Sequence, residues 1–195
     1  EERVRQRTEE LSQTNTRLHR EIEERLKSAS TVRLLSKAVE QSPVAVMITD
    51  TEGSLKYVNQ AFVEVTGYSR EEVMGMNPRM IKSGRTKQTT YQSLWTTIKS
   101  GEDWSGELLN KRKNGELYWE QAIISPVIGE DGEITHFLAV KEDITVRKQQ
   151  EEKIRYQAQY DPMTHLPNRM LAMDRLHQAL ENANRYGEKV ALLFI

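Results

Sequence analysis

Three strand-like segments follow one another between residues 103 and 143 with only tight turns between them. They read "DWSGELLNKR", "GELYWEQAIISPV" and "EITHFLAVKED", and the joining "KNG" and "GEDG" carry the Asn, Asp and Gly that such turns need. Strands joined this closely must run antiparallel, because a parallel pair needs a crossover of a dozen or more residues. An earlier pair, "VAVMIT" and "SLKYVN", is joined by "DTEG" and reads as a hairpin. Short helical pieces lie between pair and meander. "NQAFVEVTG" is followed by "SREEVMG", where Ser69 is placed to cap and Glu72 lies three residues on. Residues 87–99, "KQTTYQSLWTTIK", predict one amphipathic helix closed by Gly101. Two strands, several short helices and three more strands predict an α+β domain of about 110 residues, with one antiparallel five-stranded sheet covered by helices on one face.

The flanks have another character. Residues 1–33 and 146–161 are almost wholly polar, which is why charged residues reach 29% and hydrophobic ones only 37%. The opening "EERVRQRTEELSQTNTRLHREIEERLKS" contains no Pro or Gly. Val4, Leu11, Leu18 and Arg25 fall seven apart, with Thr8, Asn15, Ile22 and Ala29 interleaved, the spacing of a coiled-coil seam. Asn15 in that seam favours a parallel dimer in register; a single solvated helix is the plainer alternative. A further helical stretch, "TVRLLSKAVEQS", runs into Pro43, which stops it.

After the meander, Thr145 is the expected cap of a helix "VRKQQEEKIRYQAQ" that reaches Asp161 without a breaker. Beyond "DPMTHLPNR" a second helix places Met173, Leu176, Leu180 and Ala183 on one face and ends at Gly187. "VALLFI" then reads as a buried strand. One helix and one strand cannot form a core of their own, so the chain reads as a piece of a longer protein. The expected division is a coiled-coil or signalling helix over 1–30, a sensor domain over 31–145, a linker helix over 146–160 and the start of a further domain over 161–195.

Composition narrows the chemistry. With no cysteine there are no disulfides, thiolate metal sites or Cys nucleophiles, and a reducing, cytoplasmic setting is expected. A net charge of −1 gives no electrostatic footprint for nucleic acid, and "NKRKNG" reads as a hairpin turn. No stretch approaches the ~18 apolar residues of a membrane span, so any membrane tether would lie upstream.

The segment from about 34 to 147 resembles a PAS sensor domain with its trailing PAC segment. The likeness runs through "AVEQSPVAVMITDTEGSLKYVNQAFVEVTGYSREEVMGMNPRMIKSG" and "LWTTIKSGEDWSGELLNKRKNGELYWEQAIISPV" to "EDIT". Asp143-Ile144-Thr145 is similar to the family's junction motif, whose Asp and Thr tie the last strand to the output helix. "DPMTHLPNR" resembles the opening signature of GGDEF domains, D-x-L-T-x-L-P-N-R, with Met163 for the usual Leu and His165 where Gly is common. That resemblance implies a diguanylate cyclase parent. The metal-binding Asp and the GG[DE]EF loop, with the Mg and GTP they hold, belong to a part beyond residue 195. These 195 residues are therefore expected to have no catalysis of their own. A tandem GGDEF–phosphodiesterase parent is the alternative.

"GMNPRMIKSG" resembles the flavin-contacting helix of light-sensing and redox-sensing PAS groups. Pro78 stands where the light sensors carry their reactive cysteine, so adduct photochemistry is excluded. The likeness is nearer to FAD-binding redox sensors of the nitrogen-fixation regulatory type. At positions that contact flavin in those domains this chain has Asn77, Trp95, Asn110 and Tyr118. An isoalloxazine ring needs an aromatic wall and amides that both donate and accept, and these residue types supply them. The same residues also suit plain structural roles: Trp95 as a core anchor, Asn110 as a cap, Tyr118 as a strand residue. FAD and a ligand-free dimerisation module therefore both stay open. Haem is disfavoured, because the 87–99 helix has no His to ligate iron. The expected partner is a second copy, through the N-terminal coiled coil and the PAS flanks.

Overall fold

The computed structural model describes the backbone of residues 2–192 and, within the first helix, the side chains of Asn15 and of residues 17 onward. It divides into two compact units, residues 1–143 and 144–195.

The first unit opens with α1 (Glu2–Glu40), one uninterrupted helix where two stretches were expected. Nothing between residues 28 and 33 breaks it, since Ser and Thr lower helix propensity without stopping the ladder. Continuity extends the seven-residue spacing: Val32 and Val39 follow Leu18 and Arg25, and Leu18, Ile22, Val32 and Val39 are all exposed. The seam side chains of Val4, Thr8 and Leu11 lie outside the described residues.

The sheet comprises β1 (Ala45–Asp50), β2 (Leu55–Val58), β3 (Trp104–Lys111), β4 (Leu117–Ile128) and β5 (Ile134–Asp143). Its order is β2-β1-β5-β4-β3, and every paired neighbour is antiparallel. Between β2 and β3 come α2 (Gln60–Thr66), α3 (Arg70–Val73), a 3₁₀ turn (Pro78–Ile81) and α4 (Gln88–Lys99). The predicted capping box of Ser69 and Glu72 is present on α3. The period of two sorts the strands: Trp104, Leu108, Tyr118, Ala122, Ile124, Phe137 and Ala139 are buried, while Ser105, Glu107 and Lys111 are exposed. All of these buried residues except Tyr118 join Leu55, Val58, Phe62, Val73, Leu94 and Ile98 in one apolar core beneath the helices.

Asn59 is fully buried at the head of α2 and spends its whole hydrogen-bonding capacity there. Its Oδ1 accepts from Val46 N (2.8 Å) and Phe62 N (3.1 Å), and its Nδ2 donates to Val39 O (3.0 Å) and Val44 O (2.9 Å). One amide thus joins the end of α1, β1 and α2. Glu40, the last residue of α1, accepts from the Tyr57 hydroxyl (2.8 Å) and from Arg70 Nη2 (2.7 Å).

The second unit holds α5 (Thr145–Gln159) and α6 (Arg169–Tyr186). Thr145 is the first helical residue of α5, and Ile144 occupies the cap position, so the predicted cap is displaced by one residue. "DPMTHLPNR" is a self-bonded loop. Asp161 Oδ1 accepts from Met163 N (3.0 Å), Thr164 N (2.8 Å) and Thr164 Oγ1 (2.9 Å). Asn168 caps α6 through Leu171 N and donates to Ala158 O at the end of α5. His165 has φ 57°, a left-handed conformation that glycine adopts without strain. Gly187 ends α6 in the left-handed conformation, as expected. Of the apolar face of α6, Ala183 is buried and Met173 and Leu180 are exposed. Residues 190–192 are not in a strand, and the rest of the expected strand lies outside the described residues.

Candidate functional site

The helices do not close flat on the sheet. Between them lies a cavity of about 400 Å³, within the usual size range of small-molecule sites. Met47, Leu108, Ile124 and Phe137 form its floor on the sheet. Tyr91, Leu94, Trp95 and Ile98 come from one face of α4, as spacings of three and four require. Asn77, Arg79 and Ile81 come from the 3₁₀ turn.

Three of the four sequence-predicted residues border this space. Trp95 is partly exposed and stands edge-on to Phe137, with ring centroids 6.1 Å apart and planes at 85°. Together they make an aromatic corner. Asn77 caps the 3₁₀ turn by accepting from Arg79 N (3.0 Å), and its amide faces Gly53. A Cβ at Gly53 would lie 2.7 Å from Asn77 Nδ2, and the backbone there has φ 85°, so only glycine fits. Asn110 is 2% exposed on β3 and lines the cavity, whereas its neighbour Lys111 is exposed on the opposite face.

Tyr118 is placed differently. It is buried behind the cavity lining, with its hydroxyl donating to Glu120 Oε2 (3.2 Å) and the Arg112 guanidinium 4.5 Å above its ring. Burial, and then the adjacent Glu120 carboxylate, push its hydroxyl pKa far above the ordinary value, so it stays a donor. Arg112 also donates to Val65 O and pairs with Asp143 at 2.5 Å. The junction-motif aspartate is therefore held to the sheet domain by Arg112.

Sequence reasoning passed over two charged residues on the inner face. Lys141 on β5 borders the cavity at 5% exposure, and Glu120 on β4 is 2% exposed. Their separation is 2.5 Å from Nζ to Oε1. The signal was present in the alternation, because Lys141 keeps the inward phase of Phe137 and Ala139, and Glu120 that of Tyr118 and Ala122. Lys82 is a third cation at the cavity. Its ammonium sits 3.6 Å over the Tyr91 ring, and burial, then the nearby Arg79, lower its pKa. Among the described residues there is no group of three or more His, Cys, Asp or Glu that could hold a metal. None of their helices is long and apolar enough to cross a membrane.

A five-stranded antiparallel sheet roofed on one side by short helices, with a part-polar cavity between, defines a small α+β domain with room for a small molecule. Residues 43–146 match the PAS domain family, and the chain belongs to it. Residues 158–195 match part of a second family, diguanylate cyclase, GGDEF domain. Among curated proteins, the chain is 38% identical over 117 residues to a nitrogen fixation regulatory protein of Klebsiella oxytoca. That alignment covers 60% of this chain and only 24% of the relative's length. Among solved structures it is similar to the LOV domain of a blue-light-activated histidine kinase from Erythrobacter litoralis. The identity is 29% and the TM-score 0.51, covering 54% of this chain and 99% of that one. A light-oxygen-voltage domain studied with a flavin analogue is similar at 26% identity and TM-score 0.53, covering 62% of this chain and 95% of that one.

Proposed function

We propose that the chain is the sensory and transmitting region of a cytoplasmic cyclic di-GMP signalling protein, a dimeric diguanylate cyclase whose activity is set through α5. The observation that carries this is order along the chain. A PAS domain is followed, after one 15-residue helix without a buried residue, by the opening of a GGDEF domain. Along the chain only Ile144 separates β5 from α5. Two cyclase sites must meet to join two GTP molecules, so a helix that changes the pairing of two copies can govern turnover. The exposed apolar positions of α1 and of α5, where Val146 and Ile154 are uncovered, support pairing with a second copy.

The cavity, in this reading, takes FAD. An aromatic corner of Trp95 and Phe137, amides from Asn77 and Asn110 and further donors around them suit a flat heterocycle with a polar edge. The similarity to a domain studied with a flavin analogue supports a flavin as the occupant. When bound, flavin supplies redox chemistry and visible absorption; the residues here bind and orient it. Arg79, exposed at the mouth, suits a ligand phosphate. The test is to incubate the protein with FAD, desalt it and record the visible spectrum. A retained oxidised-flavin band is expected, and its absence from folded protein refutes the occupant and favours a ligand-free interaction module.

A further inference from the structure

Between Glu72 and Glu102 the chain carries Arg79, Lys82, Arg85, Lys87 and Lys99 and no Asp or Glu, although the whole sequence is nearly neutral. This stretch supplies the 3₁₀ turn and α4, which roof the cavity. All five cations are exposed, and no ion pair among the described residues joins any of them to a carboxylate. Local stability does not account for them. Lys87 holds the cap position of α4 without a capping bond from its side chain, and the first turn of that helix contains no acid. A cation there opposes the helix dipole, which favours negative charge at the N-terminal end. Arg79 and Lys82 repel each other as well: burial, and then Arg79, lower the pKa of Lys82. Apolar groups share this surface. Trp95 is 37% exposed, and Met74 and Met76 are exposed on the approach to the 3₁₀ turn. Arg79, Lys82 and Trp95 border the same cavity, and Lys99 Nζ stands 5.7 Å from the centre of the Trp95 ring. Uncompensated cations, an indole and two thioethers therefore lie on the helical side of the sheet.

We propose that this helical roof is a docking surface for an anionic lipid bilayer. Charge complementarity names the partner: lipid phosphates supply the negative charge that the roof lacks, and clustered Lys and Arg are drawn to such a surface. The exposed apolar groups decide between polyanions. An indole sits well at the headgroup level, where one side is apolar and the other wet, and exposed methionines insert beside it. Single-stranded nucleic acid is gripped instead by successive aromatic faces on which its bases stack. Here the second aromatic of the segment, Tyr91, is covered by the Lys82 ammonium 3.6 Å from its ring centre, which leaves Trp95 alone. Attachment is peripheral, because no described helix is long and apolar enough to cross a membrane. The proposal is independent of the flavin reading, since Arg85, Lys87 and Lys99 do not line the cavity.

The experiment measures co-sedimentation of the 195-residue protein, without added flavin, with two kinds of vesicle. One is pure phosphatidylcholine and the other is phosphatidylcholine and phosphatidylglycerol in equal parts. Binding is expected to the anionic vesicles alone, and it should fall as added salt shortens the screening length from about 10 Å at 0.1 M to about 3 Å at 1 M. Each Lys or Arg near an anionic surface strengthens binding about fivefold, so Arg85→Gln/Lys87→Gln/Lys99→Gln should weaken it about a hundredfold. That variant should melt no lower than the unmodified protein, because it removes the cation that opposes the dipole of α4. Lys37→Gln/Lys56→Gln/Lys111→Gln removes as much charge from α1, β2 and β3 and should weaken binding only a few-fold. Equal losses in the two variants would overturn the assignment to the roof and leave only an effect of net charge. No binding of unmodified protein to anionic vesicles, or equal binding to both kinds, would overturn the proposal without any variant. Tighter binding to oligouridine or to polyglutamate than to the anionic vesicles would overturn it in favour of nucleic acid or an acidic protein.

Discussion

Replacing Asn59 by Ala should damage the sensor domain more than any exposed substitution, and the size follows from its partners. The change strands Val46 N and Phe62 N, both buried, and frees Val39 O and Val44 O, which are partly reachable by water. Each buried donor left unpaired costs about 1–3 kcal/mol, so the two together cost about 2–6 kcal/mol. Domains of this size hold about 5–15 kcal/mol in total, and 1 kcal/mol moves the midpoint by about 4–8 °C. A fall of at least about 8 °C is therefore expected. All three tryptophans, Trp95, Trp104 and Trp119, lie in the sheet domain, so tryptophan fluorescence follows its unfolding alone. Asn59→Asp keeps the acceptor for Val46 N and Phe62 N but loses both donors and sets a carboxylate against two carbonyls. It should fall as well, through the junction with α1. A midpoint within about 3 °C of the original for Asn59→Ala, on the same scale, would refute the reasoning that one amide holds three elements together.

The other predictions are briefer. Deleting residues 1–30 should weaken self-association more than tenfold in sedimentation, since each buried seam side chain contributes about 1.5–3 kcal/mol; an unchanged association would exclude the α1 seam. One residue added within Lys148–Gln157 rotates all that follows by about 100°, whereas seven nearly restore the phase, so nucleotide turnover by the full-length parent should change strongly with one and little with seven. Asn110→Ala should lower retained FAD about five- to a hundredfold while the outward Lys111→Ala should not; equal losses would argue against Asn110 as a contact. The Tyr57 hydroxyl, and after it Arg70, hold the Glu40 carboxyl below its ordinary 4.5, so its contribution is present above that pH and lost as pH falls through the lowered value; Glu40→Gln should flatten that part of the acid melting profile.

Most of the fold could be read from the chain because its local signals agree with one another. Turn residues stood between β1 and β2, between β3 and β4 and between β4 and β5, and those three pairs are antiparallel neighbours in the sheet. What escaped was set by contacts at long range or by weak local signals. Thr145 is a good cap by type, yet it is the first helical residue and the cap position falls one residue earlier, at Ile144, directly after β5 ends at Asp143. The join of residues 28–33 into α1 could not be settled by propensity, since Ser, Thr and Val sit near the middle of that scale. His165 was visible as a departure from a glycine position, and its left-handed backbone shows what that departure costs. His165→Gly should increase amide-exchange protection at Leu166, whose N–H bonds Thr164 Oγ1, and at Asn168, whose N–H bonds Gln159 O at the end of α5.

The lining of the cavity was partly legible in the sequence. Family resemblance led to amides and aromatics, and Asn77, Trp95 and Asn110 do border one cavity. Tyr118 illustrates the limit of position matching: its strand phase turns it inward, yet its hydroxyl is taken by Glu120 and its ring lies under Arg112. Lys141 and Glu120 were hidden for the opposite reason. A charged residue in a strand is ordinarily assigned to water, and it reads as inward only when the phase of its own strand is taken literally. Glu120 pairs in register with Asp143, and Lys141 with Ala122, two residues along, so the pair meets on the diagonal of β4 and β5. That diagonal needs the register of two strands joined by a turn with an irregularity at Val127/Ile128, which shifts the pairing in a way that composition cannot reveal. Two opposite charges in the inward phase of neighbouring strands are therefore the sequence signal to look for, since each makes the other's burial possible.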